Sequence, residues 1–320
     1  MAEQGGVGAR GARMGLWLLA AVVAVWALAV GWGSRPMAAP SMDAHQRSHR
    51  QAVDWLRTHE ALVLGEGNAA LWWMLDVASQ RTQDSYLQGL VQRHRTRIYQ
   101  GELLRSPWQR MVAPDAEVDL TEPMPPELSD YQRFFYRAVT CAADQPGAQP
   151  DPFRDGHVCH PQLTRVWWQD RVCSTHQLMG LMLQARARCQ SPEGRPGLSQ
   201  ELLSDIHIQA WLDPMVKDAY IQRVLMLAWG GATDQIRSAW LHRILLAQRA
   251  DGGWAGAPNV PELPTGFTLD DLRARLLALL GRPVPSERQS DFHATAQGLL
   301  LTAMLGWPEP APAHSLAPRP

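Results

Sequence analysis

The densest run of chemically capable side chains is His157, Cys159 and His160, followed by Trp167, Trp168, Cys173 and His176. Imidazoles and thiolates this close together suit zinc or copper, which take nitrogen and sulfur donors. The His-x-Cys-His spacing is not that of a standard zinc finger. Two disulfides would consume the same thiols and leave a bridged loop capped by tryptophans. A further histidine, His293, lies in Asp291-Phe292-His293-Ala294-Thr295. His176 and His293 both fall where a helix is expected to begin, so one cavity can receive both, as catalytic groups or as ligands. Trp72-Trp73 and Trp167-Trp168 either fill a helical core or line a cavity for a lipid chain or sugar ring. Glycine-rich phosphate loops, serine nucleophile elbows and His-Glu-x-x-His signatures are absent from the sequence.

The elements that must hold these residues start outside the main domain. Leu16 to Trp32 carries no charged residue. As a helix it spans roughly 26 Å at ~1.5 Å per residue, close to a ~30 Å hydrocarbon core. Arg10 and Arg13 precede it, so the positive-inside rule keeps 1–13 in the cytoplasm and sends the rest outward. Trp17 and Trp32 suit the two interfaces. A cleaved signal peptide, cut near Ala29 or Ala39, is the rival; the flanking tryptophans favour an anchor over 14–33. The expectation is a single-pass protein of the inner (cytoplasmic) membrane, bound to lipid through 14–33, with its main domain on the periplasmic side. A linker, 34–42, leads to that domain at 43–307, and a proline-rich, disordered tail occupies 308–320.

Apolar residues make up 46% of the 320-residue chain and charged residues 19%, which excludes disorder for most of it. Net charge is −1 with no basic block. Nucleic acid is therefore not an expected partner, because phosphate binding needs concentrated positive charge. Cys141, Cys159, Cys173 and Cys189 all follow the anchor. In an oxidising compartment four cysteines allow three pairings. A continuous helix over 175–188 would hold Cys173 and Cys189 roughly 20 Å apart, whereas a bridge needs α-carbons within about 7 Å. Two pairings remain, 141–173 with 159–189, or 141–189 with 159–173.

From 43 to 307 the pattern is helices and loops without strand alternation. Helices are expected over 45–64, from Asn68, and over 84–99, 126–142, 175–189, 199–212, 215–229, 233–248, 268–280 and 291–305. Thr175-His176-Gln177 and Thr295-Ala296-Gln297 echo one another, each followed by a small-and-apolar run. Paired helices with an echo suit stacked hairpins.

Gln248 is followed by Asp251-Gly252-Gly253-Trp254 at the end of a helix. The glycines let the chain reverse, Asp251 can bond turn amides, and Trp254 can fold under as a plug. This Gln-x-x-x-Gly-x-Trp run resembles the repeat of squalene cyclases, with Arg243 where that family places an aromatic residue. Together with Asp291-Phe292-His293-Ala294-Thr295, it resembles the last repeat of protein prenyltransferase β-subunits. The likeness covers about 55 residues. It implies an all-α fold, an α/α toroid-like stack of helical hairpins. In the prenyltransferases the histidine matched by His293 ligates zinc with an upstream Asp-x-Cys pair, and this chain carries no such pair. The cyclase Asp-x-Asp-Asp motif meets only Asp270-Asp271 here. The expectation is thus a non-catalytic toroid that binds an apolar ligand or a membrane protein partner. The alternative is an enzyme whose histidines act on an isoprenoid, peptide or glycan.

Overall fold

The computed structural model describes residues 6–100, 105–120, 124–142, 151–159, 172–187, 189, 195–213, 216, 218–256 and 290–308. Among them every regular element is helical, and Trp254 and Asp291 pair in an isolated antiparallel bridge. The helix expected over 268–280 and the tail beyond 308 lie outside the described residues, as do His160, Trp167 and Trp168.

The first helix, α1, is Gly6–Gly33. Its stretch Gly15–Gly33 is long and apolar enough to cross a membrane. Leu16, Trp17, Val22 and Leu28 are exposed along it, an apolar surface that water does not favour. The chain then enters α2 (Met42–Thr58), where Ser41 caps the start by accepting the amide of Ala44. The single helix expected over 45–64 is broken at His59, which stacks on Trp55 with centroids 4.4 Å apart. A one-turn α3 (Glu60–Val63) follows. Asn68 and Asp84 cap α4 (Ala69–Thr82) and α5 (Ser85–Ile98) through their side-chain oxygens.

After the short α6 (Gln109–Val112), Ser129 and Gln132 open α7 (Asp130–Thr140), the serine amide donating to Gln132 Oε1 at 3.0 Å. A four-residue α8 (Pro152–Asp155) precedes α9 (Cys173–Arg186), α10 (Leu198–Leu212) and α11 (Asp218–Trp229). The expected 233–248 helix is also divided. A 3-10 turn at Thr233–Gln235 and two extended residues lead into α12 (Ser238–Leu246). The break turns Arg237 and Trp240 onto the chain leaving α1, where they bond Ser34. Asp291 caps α13 (Phe292–Gly306), accepting the amide of Ala294 at 2.8 Å.

The centre of the domain is α13. It packs against α2 and α4 on one side and α11 on the other. Beyond α11 the layers continue through α10 and α9 to α7, and α4 carries α5 and α6 on its outer side. Ala294, Ala296, Leu299, Leu300 and Ala303 are fully buried on α13, as are Thr295 and Gln297. A helix apolar on nearly all sides can only be stable in the interior. Each buried leucine contributes about 1.5–3 kcal/mol relative to exposure.

The Asp251–Trp254 turn fixes where α13 sits. Gly252 adopts φ 93°, and Asp251 accepts the Gly253 amide and the Ser290 hydroxyl. Gln248 donates to the backbone carbonyls of Ser48 and Gly252, two residues before the indole. The Trp254 ring is fully buried, donates to the Ile244 carbonyl at 2.8 Å, and lies flat against Gly298. A β-carbon on Gly298 would fall 2.6 Å from that ring. The sequence echo has a counterpart here: a β-carbon on Gly180 of α9 would lie 2.1 Å from the Phe134 ring. In both helices a glycine admits an aromatic ring onto the backbone.

Gly298→Ala is expected to cost about 1–3 kcal/mol by overpacking, and Gly180→Ala a similar amount. Gly67→Ala, with nothing within 4 Å of the added carbon, should stay within about 0.5 kcal/mol. Denaturant unfolding of the detergent-solubilised full chain measures all three.

Candidate ligand site at converging helix starts

His176 and His293 meet at one locus. His293 lies in the first turn of α13, and its Nδ1 is 3.4 Å from Oδ2 of Asp218, the opening residue of α11. One turn further along α13, Gln297 Nε2 donates toward His293 Nε2 at 3.4 Å. The imidazole is thus held in a line between a carboxylate and an amide. Gln297 is fully buried, and its carbonyl oxygen has no hydrogen-bond partner among the described residues. Asp218 and His293 remain partly exposed, at 34% and 43% of their side chains.

His176, in the first turn of α9, is stacked face to face on Tyr131, centroids 4.2 Å apart and planes 12° from parallel. Phe135 meets the same ring edge-on at 5.9 Å. Tyr131 lies in the first turn of α7. Burial among these rings pushes the His176 pKa down to about 4; the nearby His293 adds to the shift and Asp218 partly offsets it. A neutral imidazole is therefore held beside the His293–Asp218 pair. Four helices, α7, α9, α11 and α13, bring first-turn side chains to this place.

Asp218, Tyr131 and Gln297 were not legible as site residues. Asp218 stands in no motif, and Tyr131 reads as one apolar position on an amphipathic helix. Only the Thr-x-Gln echo touched Gln297.

The Cys–His run resolves differently. Cys141 bridges Cys189 and Cys159 bridges Cys173, with α-carbons 5.3 and 5.5 Å apart. This is one of the two pairings left by helix geometry. Cys159 is accordingly no metal ligand. His157 instead forms ion-pair contacts with Asp205 at 2.7 Å and Glu201 at 3.4 Å. No group of three His, Cys, Asp or Glu side chains is placed to hold a metal among the described residues. Zinc needs three or four protein donors; at His293 the described donors amount to its own imidazole and Asp218, so the zinc suggested by the resemblance does not fit the described site.

Trp72 and Trp73 are core residues. Trp72 is fully buried, stacks on His94 at 3.7 Å and donates to the Glu66 carbonyl. Trp73 is packed against Trp229 at 4.5 Å. Neither ring offers a face to a ligand; both fill space between helices, which is why α4 can lie flat against α13.

A scan against protein-family models and searches of curated proteins and of solved structures match nothing to this chain.

Three histidines give the domain an acid limit. His49, His94 and His176 each have a pKa lowered from 6.5 to about 4, with burial the leading cause. Below 6.5 the unfolded chain takes up these protons while the folded chain keeps its rings neutral, so acid favours unfolding. Stability is expected to be full above pH 7 and to fall from pH 6.5 toward 4. Melting temperatures across that range check this. His176→Phe, which keeps a ring on Tyr131, should reduce the slope by about one proton.

Proposed function

We propose that this chain is a single-pass, membrane-anchored extracytoplasmic protein whose toroid-like helical domain binds a ligand where Tyr131, His176, Asp218 and His293 meet. The observation that carries the reading is that two first-turn pairs, His293 with Asp218 and His176 with Tyr131, lie close enough for the first to act electrostatically on His176. A toroid of helical hairpins gathers the starts of its inner helices in this way, around a central seat. The ligand suited to it is a small amphiphile. Tyr131, backed by the buried Phe135, offers an apolar wall, and the His293–Asp218 pair offers a hydrogen-bonding end.

The anchoring part rests on α1, long and apolar enough to span a bilayer. The extracytoplasmic part rests on the two disulfides, which persist in oxidising compartments and are rare in the cytosol. In this reading the periplasmic side of the inner membrane holds the domain.

A second reading draws on the His293–Asp218 pair. An imidazole whose Nδ1–H faces a carboxylate has the orientation of a general base, and its Nε2, which takes the Gln297 amide at 3.4 Å, would accept a proton once a substrate displaces that amide. With the neutral His176 beside it, the same cluster could run acid–base chemistry on an isoprenoid, peptide or glycan.

The test is purification of the full chain from native membranes, followed by mass spectrometry of what travels with it. A small molecule is expected at near-stoichiometric amounts. His293→Ala and Asp218→Asn should each reduce it by about tenfold, roughly the 1.4 kcal/mol of one lost charge-assisted hydrogen bond. Both side chains are partly exposed, so melting should change little. Equal retention in both variants would sink the site. Stoichiometric zinc, lost in His293→Ala, would move the assignment to the enzyme class.

A further inference from the structure

The chain leaving α1 is not a free tether. Trp240 is fully buried, and its indole N–H donates to Ser34 Oγ at 3.2 Å. Arg237 donates to the Ser34 carbonyl at 3.2 Å, and His242 bonds the Ala38 carbonyl at 2.9 Å. The Arg243 guanidinium lies so close to Gly33 that a β-carbon there would meet it at 3.0 Å. Arg35 covers the face of Trp32, 4.0 Å from the ring centroid. Residues 33–38 are therefore clamped along α12, and the domain has a fixed attitude to the end of α1.

A domain clamped at the exit of a membrane helix must turn one particular face toward the bilayer. The clamp identifies that face. Trp240, which holds Ser34, packs against His207 of α10, ring centroids 5.3 Å apart. Burial lowers the His207 pKa, and the nearby Arg237 adds to that shift. One turn along α10 from His207 stands Trp211, 41% exposed, with Ile208 45% exposed beside it. Positions 207 and 211 share a helix face, so Trp211 stands one turn along the face of α10 that packs on the clamp residue Trp240. An exposed tryptophan and isoleucine side by side are a poor choice for water. They suit the headgroup boundary, where amphipathic rings are favoured. Arg35 and Arg237 are placed at the same end, where guanidinium groups meet lipid phosphates.

We infer that the α10 face carrying Ile208 and Trp211 seats the domain on the lipid surface beside α1, as a second, peripheral membrane contact. This rests on the reading of α1 as an anchor.

The experiment reconstitutes the full chain into phosphatidylcholine–phosphatidylglycerol vesicles doped with a phosphatidylcholine bearing an acyl-chain diazirine. After photolysis, adducts are mapped by mass spectrometry. Adducts are expected on α1 and on 207–212, the latter at least ~10-fold above Leu62, an exposed leucine on α3 outside the clamp. Trp211→Asp combined with Ile208→Asp should remove the α10 adducts and leave those on α1. Both positions face outward, so an unchanged melting temperature shows that the fold survives. Adducts on α1 alone overturn the seat and leave the anchor standing. Adducts on neither segment overturn the anchor itself. Labelling of Leu62 equal to that of 207–212 also overturns the seat. So does a photo-cross-link from position 211 to another protein in native membranes without lipid adducts, since that face would then hold a protein partner.

Discussion

The contact between the Trp254 ring and the bare backbone of Gly298 governs much of the domain. The indole is wedged between the end of α12 and the body of α13, with its N–H spent on Ile244 and its backbone paired with Asp291 and Thr295. Because the ring reaches the helix backbone itself, α13 can be placed in only one rotation and one axial position. Side chains on α13 are then committed: leucines toward α2, α4 and α11, and His293 toward Asp218. Architecture and candidate chemistry hang on the same close approach.

That commitment explains why the site is built from helix starts. The first turns of α7, α9, α11 and α13 carry Tyr131, His176, Asp218 and His293, contributed by segments far apart in sequence. No single hairpin contains the cluster. Each helix is positioned by its own cap or packing, and Asp291 does so for α13 by taking the Ala294 amide. The resulting environment is mixed. Aromatic burial keeps one imidazole neutral, while the other stands half in solvent against a carboxylate. Such a difference between two like groups is set by their surroundings rather than by their own chemistry.

The sequence disclosed what local rules control. Ser41, Asn68, Asp84 and Asp291 cap helices as their residue types suggest, and the glycines after Gln248 mark a chain reversal. Helix rise alone removed one of three disulfide pairings, and the observed pair 141–189 with 159–173 is among the two left. The break at Ile236–Arg237 was not visible because a tertiary partner, Ser34, accompanies it, whereas the break at His59 is local, with the imidazole folded back on Trp55 one turn earlier. Trp72 and Trp73 read first as core residues, with cavity lining as the other role; packing against His94 and Trp229 assigns them to the core. Asp218 was invisible for a similar reason. A lone aspartate at a helix start looks like a dipole partner, and nothing along the chain reveals the histidine it faces.

The central position of α13 carries a consequence for how the protein is made. Its neighbours α2 and α4 emerge long before it does. At ~5–20 residues per second, the interval between Thr82 and Phe292 is on the order of ten to forty seconds. Throughout that time the faces of α2 and α4 that will enclose α13 wait for it, and α11 joins them only late in the interval. Until α13 arrives they must be shielded by helper proteins or by one another. The layout that makes the finished domain compact therefore lengthens its most vulnerable stage, and biogenesis rather than final stability sets the demand on the cell.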